Sequence, residues 1–251
     1  MTEPQCLTIA EPHFEQTRHR PPPLGLRIKP RLASLFRRYR KTDFLSRLPS
    51  KCEILDVGCG SNSPYQVKSL FPDGTYTGID IDDCRQTKPN LADHYVLVDR
   101  HRFADSILAF GKRFDAVISS HNLEHCDNRD ETLDAMMTVV KDGGRLYMSF
   151  PSEMSVTFPS REGCLNYYDD PTHKPDPPDF DSIIHLLSRN GFSILYSVKR
   201  YQPPFFWTLG LVSEPISKRL GRMQGTWEYY GFESIIWAQK GSKPSKRWKI
   251  Y

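Results

Sequence analysis

The pattern of apolar and polar positions predicts an alternation of short strands and helices from residue 52 onwards. Short apolar runs predict strands at 52–57, 75–81, 94–98, 114–119, 144–150, 192–200 and 232–239. Stretches with helical spacing predict helices at 64–70, 103–111, 129–140 and 180–190. This alternation is typical of an α/β fold in which helices cover both faces of a mostly parallel sheet.

The segments outside this pattern differ in composition. Residues 1–30 contain Pro21-Pro22-Pro23 and are predicted to be irregular. The helical spacing of four apolar residues predicts a helix over 31–48, with Leu32, Leu35, Phe36 and Tyr39 on one face. Residues 201–231 form an aromatic insert that is too long for a hairpin turn. We therefore expect one domain over 31–241, followed by a basic tail at 242–251.

A glycine turn follows the first predicted strand. Ile54-Leu55-Asp56-Val57 runs into Gly58-Cys59-Gly60, and Asp80 ends the next apolar run twenty residues beyond Gly60. An acid at about this distance meets ribose hydroxyls in dinucleotide-binding folds. Ser63 stands where the third glycine of that fingerprint would be, so a pyrophosphate is not expected. The pattern predicts a nucleoside pocket.

Three segments in this order resemble the motifs of class I S-adenosylmethionine-dependent methyltransferases. They are the strand and glycine turn at 54–62, the segment 114–125, and the turn into a strand at 141–151. The resemblance implies a Rossmann-like sheet of seven strands, mostly parallel, with the last strand antiparallel. It also implies S-adenosyl-L-methionine as the cofactor.

The same resemblance implies the residues that hold the cofactor: Asp56, Gly58, Gly60, Asp80, Asp99, Ser119 and Ser120. The two glycines lack a Cβ, so the backbone can approach a ligand closely. Asp56 would hold the ammonium end, and Asp99 would accept a hydrogen bond from the adenine amino group. Asp99 could instead be a loop acid that pairs with the bases after it. The two serines would border the methionine moiety.

His121, Glu124 and His125 follow the fourth predicted strand at i, i+3 and i+4, which is one face of a helix. Ubiquinone-type O-methyltransferases, which this segment resembles, carry an E-x-x-E-H sequence there that can hold a divalent metal. His121 in place of the first Glu removes a hard oxygen ligand, which weakens the case for magnesium and leaves a softer ion possible; no metal is assigned, and the three residues stay candidate ligands. The alternative is that Glu124 and His125 only orient the loop. His121 is a candidate general base.

A second candidate base, His173, lies in the segment 166–174. Asp-Pro-Thr-His, a helix and then Gly-Phe resemble a segment of small-molecule methyltransferases, including many linked to cell-surface sugars. His173 would remove a proton from a substrate hydroxyl, and Asp169 or Asp170 would orient it. A purely structural link between loop and helix is an equal alternative.

The charge distribution and the cysteine content limit which binding partners and which cellular compartment we expect. The net charge is +4, and residues 27–40 contain six basic side chains and no acid. Such a surface attracts polyanions, but no RNA-binding module is recognisable, so nucleic acid is not expected. The six cysteines never approach a C-x-x-C spacing. With no secretory signal or membrane-spanning run, a cytoplasmic protein with reduced thiols is expected.

These observations predict O-methylation of a small hydroxylated molecule, such as a sugar or a glycoconjugate precursor. One alternative is an RNA or protein methyltransferase that uses the basic N-terminal helix. Another is a regulatory module that binds S-adenosylmethionine without catalysis. Peripheral contact with a membrane and a homodimer through the aromatic insert both stay open.

Overall fold

A computed structural model describes residues 39–84, 87–111, 114–223 and 227–241. The strands are β1 (Glu53–Val57), β2 (Thr75–Asp80), β3 (His94–Leu97), β4 (Phe114–Ser120), β5 (Val140–Pro151), β6 (Phe192–Val198) and β7 (Glu233–Lys240). The helices are α1 (Lys41–Leu45), α2 (Ser63–Leu70), α3 (Phe103–Ala109), α4 (Arg129–Val139), α5 (Phe180–Arg189), α6 (Pro204–Leu220) and α7 (Trp227–Tyr230).

All seven strands belong to one sheet in the order β3-β2-β1-β4-β5-β7-β6. The pairings among β1 to β5 are parallel, and β7 is antiparallel to both of its neighbours. The predicted sheet of seven mostly parallel strands is therefore confirmed. Because the carboxyl ends of parallel strands meet at one edge, the segments that follow β1, β2 and β4 converge there.

Helices cover both faces of the sheet, and alternate residues of each strand point to opposite faces. On one face, Leu55 and Val117 belong to an apolar core that also contains residues of α3, α4 and α5. On the other face, Ile54 and Ile118 belong to a second core with residues of α1 and α2. Burial of both faces explains why the central strands are apolar throughout.

Only part of the helix predicted over 31–48 lies within the described residues. There the helix begins at Lys41 and ends at Leu45, which is shorter than predicted. Tyr39, expected on its apolar face, lies before the helix and stacks on Tyr196 of β6 with ring centroids 4.1 Å apart. Trp237 of β7 donates a hydrogen bond to the Tyr39 carbonyl at 3.0 Å. Leu32, Leu35 and Phe36, the irregular segment 1–30 and the basic tail 242–251 lie outside the described residues.

The insert at 201–231 separates the last two strands, which still pair with each other. It contains α6 and α7, with Pro204 in the first turn of α6 and Gly221 at its C-terminal end in a left-handed conformation, φ 64°. Within the described ranges, none of the helices combines the length and the apolar character needed to cross a bilayer.

Candidate active site

The glycine turn joins β1 to α2 at the edge where the parallel strands end. Gly58 and Gly60 have φ values of 69° and 55°, a conformation that favours glycine. The Gly60 amide donates a hydrogen bond to Asp80 Oδ2 at 2.7 Å, and the Ile81 amide donates to Asp80 Oδ1 at 2.7 Å. These bonds fix the Asp80 carboxylate beside the turn, as the spacing predicted.

The two glycines differ in what surrounds them. A Cβ at Gly58 would lie 2.3 Å from Oδ1 of Asn122, whereas a Cβ at Gly60 would meet no atom within 4 Å. The Asn122 side chain thus fills the space where a side chain at Gly58 would lie, and contact of Gly58 with a cofactor stays a prediction. The space beside Gly60 is open to a ligand.

Asp56 is buried at the end of β1 with one carboxylate oxygen unpaired. Its Oδ2 accepts hydrogen bonds from the Ser63 hydroxyl and from Tyr76 Oη, the latter at 2.9 Å. Its Oδ1 has no hydrogen-bond partner among the described residues. Burial raises the pKa of Asp56. A buried unpaired oxygen is costly, and a bound ammonium group would remove that cost.

A cavity of about 190 Å³ opens beside Asp80 at the same edge. Asp80 and Ile81 line one side, and Asn122, His125 and Cys126 line another. A wider groove of about 540 Å³ shares residues 126–128 and 131 with it and continues to Lys174 and Asp176. Most of the groove lining is polar or charged, which suits a hydroxylated ligand.

Two of the predicted cofactor residues, Asp99 and Ser119, make hydrogen bonds within the protein, and a third, Ser120, makes none among the described residues. The exposed Asp99 carboxylate accepts a hydrogen bond from the His101 amide at 2.8 Å, so it caps the short helical turn Arg100–Arg102. Ser119 Oγ lies 3.4 Å from the Asn122 amide nitrogen, which donates to it. The Ser120 hydroxyl is buried without a partner among the described residues. Their contact with a cofactor stays a prediction.

His121 lies between two carboxylates. Its Nδ1 is 3.0 Å from Glu124 Oε1, and its Nε2 is 3.4 Å from Glu233 Oε1. Burial alone would lower the pKa of His121, but the hydrogen bonds to Glu124 and Glu233 outweigh burial and raise the pKa to about 10. His121 is therefore an imidazolium at neutral pH. This contradicts its predicted role as general base, because a protonated imidazole accepts no further proton.

His125 and His173 form a pair of rings whose centroids are 4.8 Å apart. His173 Nδ1 lies 2.6 Å from the Tyr167 carbonyl, which can only accept, so this nitrogen carries the proton. Thr172 Oγ1 donates to Asp170 Oδ1 at 2.6 Å and must therefore accept from His125 Nδ1 at 2.9 Å. With the proton on Nδ1 of each ring, Nε2 is the nitrogen that can accept another proton.

The carboxylates of this loop have different roles from those predicted. Asp169 accepts hydrogen bonds from the Ser160 hydroxyl and from the amides of Arg161, Leu165 and Asn166. These bonds fix the loop and leave Asp169 without a contact to His173, so the structure contradicts its catalytic assignment. Asp170 is the acid beside the ring, with Oδ2 3.9 Å from His173 Nε2.

The structure does not bring the predicted metal ligands together as one set. His121 contacts Glu124 but is not grouped with His125; instead Glu124, His125 and His173 each offer a ligand atom within 4.8 Å of the others. Glu124 Oε2 is buried and has no partner among the described residues. The third residue of this group, His173, comes from a loop far along the chain from Glu124 and His125. Because of that distance in sequence, the grouping was not predicted.

Residues 30–197 match the profile of a family described as a methyltransferase domain. The chain belongs to this family. A curated relative, an uncharacterised protein of Methanocaldococcus jannaschii, is 32% identical over 106 residues, which is 38% of this chain and 27% of the relative. The chain thus spans about a quarter of that relative's length.

Solved methyltransferases share the fold. An S-adenosylmethionine-dependent methyltransferase from Mesorhizobium loti has a TM-score of 0.52 at 15% identity, covering 78% of this chain and 94% of that one. Phosphoethanolamine N-methyltransferase 2 of Haemonchus contortus, in complex with S-adenosylmethionine, has a TM-score of 0.53 at 14% identity, covering 80% and 51%. Since one fold hosts different acceptors, these similarities leave the acceptor open.

Proposed function

We propose that this chain is an S-adenosylmethionine-dependent O-methyltransferase whose acceptor is a small hydroxylated molecule, such as a sugar or a glycoconjugate precursor. The observation that carries the proposal is that His125 lines the cavity beside Asp80 while Thr172 holds its Nδ1, so that Nε2 is the nitrogen that can accept a proton. A hydroxyl must lose a proton when it is methylated, so a positioned base at this place favours oxygen as the acceptor atom.

The residues around the glycine turn fit the cofactor. Asp80 offers carboxylate oxygens at the end of β2, where a ribose would be held. The open space at Gly60 lets a ligand approach the backbone, and Asp56 Oδ1 is a buried acceptor that an ammonium group would satisfy. When bound, S-adenosylmethionine supplies an electrophilic methyl group.

His125 is the residue we assign as the general base. Asp170 holds the Thr172 hydroxyl, and Thr172 in turn holds the Nδ1 proton of His125. Burial would raise the pKa of the Asp170 carboxyl, but hydrogen bonds from Thr172 and the nearby His173 and His125 lower it, so it stays ionised. His173, predicted as a base from the sequence, packs against His125 and positions its ring.

The polar groove supports a hydroxylated acceptor. Its lining includes Asp127, Asn128 and Glu131, and it adjoins the cavity that His125 lines. The Lys174 ammonium donates to Asp127 across this groove. Such side chains bind hydroxyl groups by hydrogen bonds, whereas an apolar acceptor would cover these polar groups without replacing their hydrogen bonds to water, which costs free energy.

A cytoplasmic location is part of the proposal. Each of the five cysteines within the described ranges is a free thiol. Free thiols fit a reducing compartment, where disulfides are rare.

Calorimetric titration with S-adenosylhomocysteine, followed by methyl transfer to a panel of sugars, phenols and amines, tests the proposal. We expect binding that Asp80→Ala weakens, and transfer to hydroxyl acceptors that His125→Gln slows by about 10²–10⁴-fold. His185→Gln, at an exposed position of α5, is the matched control. No binding by the wild type would refute the cofactor, and transfer to amines alone would refute O-methylation.

A further inference from the structure

Helix α6 turns an apolar stripe outward. Its apolar residues recur at i, i+4, i+7, i+11 and i+15. They are Phe205 (40% exposed), Leu209 (50%), Val212 (71%), Ile216 (56%) and Leu220 (55%). This spacing normally marks the side of a helix that packs against the core. Here it faces away from the protein.

The inward side of α6 is small and polar. Gly210 and Ser217 are its buried residues. Glu214 receives both guanidinium nitrogens of Arg161, at 2.5 and 2.8 Å, and the Tyr230 hydroxyl at 2.8 Å. Rotating the helix to bury the stripe would break this network and leave a buried carboxylate without its partners. The orientation of the stripe is therefore fixed by the fold.

The charges of α6 suit an anionic surface. Its one acid, Glu214, points inward, whereas its two bases, Lys218 and Arg219, are exposed in the last turn. Arg219 follows the stripe closely, three residues after Ile216. A helix with an apolar face, an aromatic N-terminal turn and basic residues beside the stripe has the composition of an interfacial helix.

The length of α6 excludes crossing and favours lying flat. Its 17 residues span about 25 Å at 1.5 Å per residue, which is less than the ~30 Å hydrocarbon core. Pro215 lies inside the helix on the exposed side. A proline there disturbs the straight seam that a second copy of the helix would need, while a fluid lipid surface adapts to it.

We propose that the stripe of α6 binds the surface of an anionic lipid membrane. The apolar side chains insert at the level of the headgroups, and Lys218 and Arg219 contact lipid phosphates. One apolar helix binds reversibly, so a second, electrostatic signal strengthens attachment. Lys218 and Arg219, exposed in the last turn of α6, supply such a signal.

Co-sedimentation of the full chain with vesicles tests this proposal without any activity measurement. One set of vesicles is phosphatidylcholine alone, and the other contains phosphatidylglycerol. We expect binding to the anionic vesicles, reduced about tenfold or more by V212E/I216E because two inserted apolar side chains become charged. The control L70E/L108E adds the same charges at leucines of α2 and α3 that are 53 and 44% exposed, and should bind as the wild type does.

Circular dichroism spectra and thermal midpoints of both double variants should match the wild type, because all four positions are exposed. Absence of wild-type binding to either vesicle would overturn the proposal, as would equal binding of V212E/I216E. Analytical ultracentrifugation gives the remaining outcome. A wild-type dimer that V212E/I216E converts to a monomer, without vesicle binding, would assign the stripe to a second copy and overturn the membrane assignment.

Discussion

Replacing Gly58 with alanine should destabilise the fold more than replacing Gly60, although both glycines have a positive φ. An alanine in this conformation costs about 1–2 kcal/mol at either position. At Gly58 the new Cβ would also lie 2.3 Å from Oδ1 and 2.4 Å from Cγ of Asn122. Such overpacking adds about 1–3 kcal/mol. Gly58→Ala should therefore lower the free energy of unfolding by about 2–5 kcal/mol, and Gly60→Ala by about 1–2 kcal/mol.

Urea denaturation of the two variants measures this difference, and Asn122→Ala supplies the control. In the Asn122→Ala background the contacts with Oδ1 and Cγ are gone and the contact with Cβ at 2.6 Å remains, so the excess cost of Gly58→Ala over Gly60→Ala should shrink. Equal costs of the two glycine substitutions with Asn122 in place would refute the reasoning. S-adenosylhomocysteine titration separates the roles further, because only Gly60→Ala places a methyl group in the open space that a ligand would use.

Three further predictions concern the ion pairs and the histidine cluster. The pKa of His121 is raised from its ordinary value of 6.5 to about 10, so its stabilisation is complete below about pH 6.5 and is lost as the pH rises through 10. Urea denaturation at several pH values should show this loss in the wild type and not in His121→Gln. If the cluster of Glu124, His125 and His173 acts without a metal, a chelator should leave methyl transfer unchanged. If the chelator abolishes methyl transfer and added Mn²⁺ restores it, the cluster binds a metal. Arg161→Met should lower the free energy of unfolding by about 3–5 kcal/mol because it removes the charged partner of the Glu214 carboxylate, which keeps the Tyr230 hydroxyl, and Glu214→Gln added to it should recover part of that loss.

The sheet and the nucleoside edge could be predicted from the sequence because each depends on local patterns. Apolar runs marked the strands, and the distance from Gly60 to Asp80 reflects two consecutive strands joined by one helix. Gly60 and Asp80 therefore lie close together when β1 and β2 pair in parallel. Local spacing therefore sufficed for this part of the site.

The second partner of His121 could not be predicted, because Glu233 lies more than a hundred residues later in the chain. Only the insertion of β7 beside β5 brings the two together. The direction of the α6 stripe was equally hidden, since it depends on Arg161 from a distant loop. The pairing of His125 with His173 also crosses a long sequence interval. The ion pairs of His121 and Glu214 and the pairing of the two histidines therefore depend on tertiary contacts.

The place of β7 in the sheet has a consequence for synthesis on the ribosome. β6 pairs with β7 and with no other strand of the described residues, and β7 comes last of the seven in the chain. Until β7 has been translated, β6 has no edge to join, and His121 lacks its second carboxylate. The nascent chain therefore completes its sheet and its ion-paired histidine in one late step, and a ribosome that stalls within the insert would hold an unfinished domain.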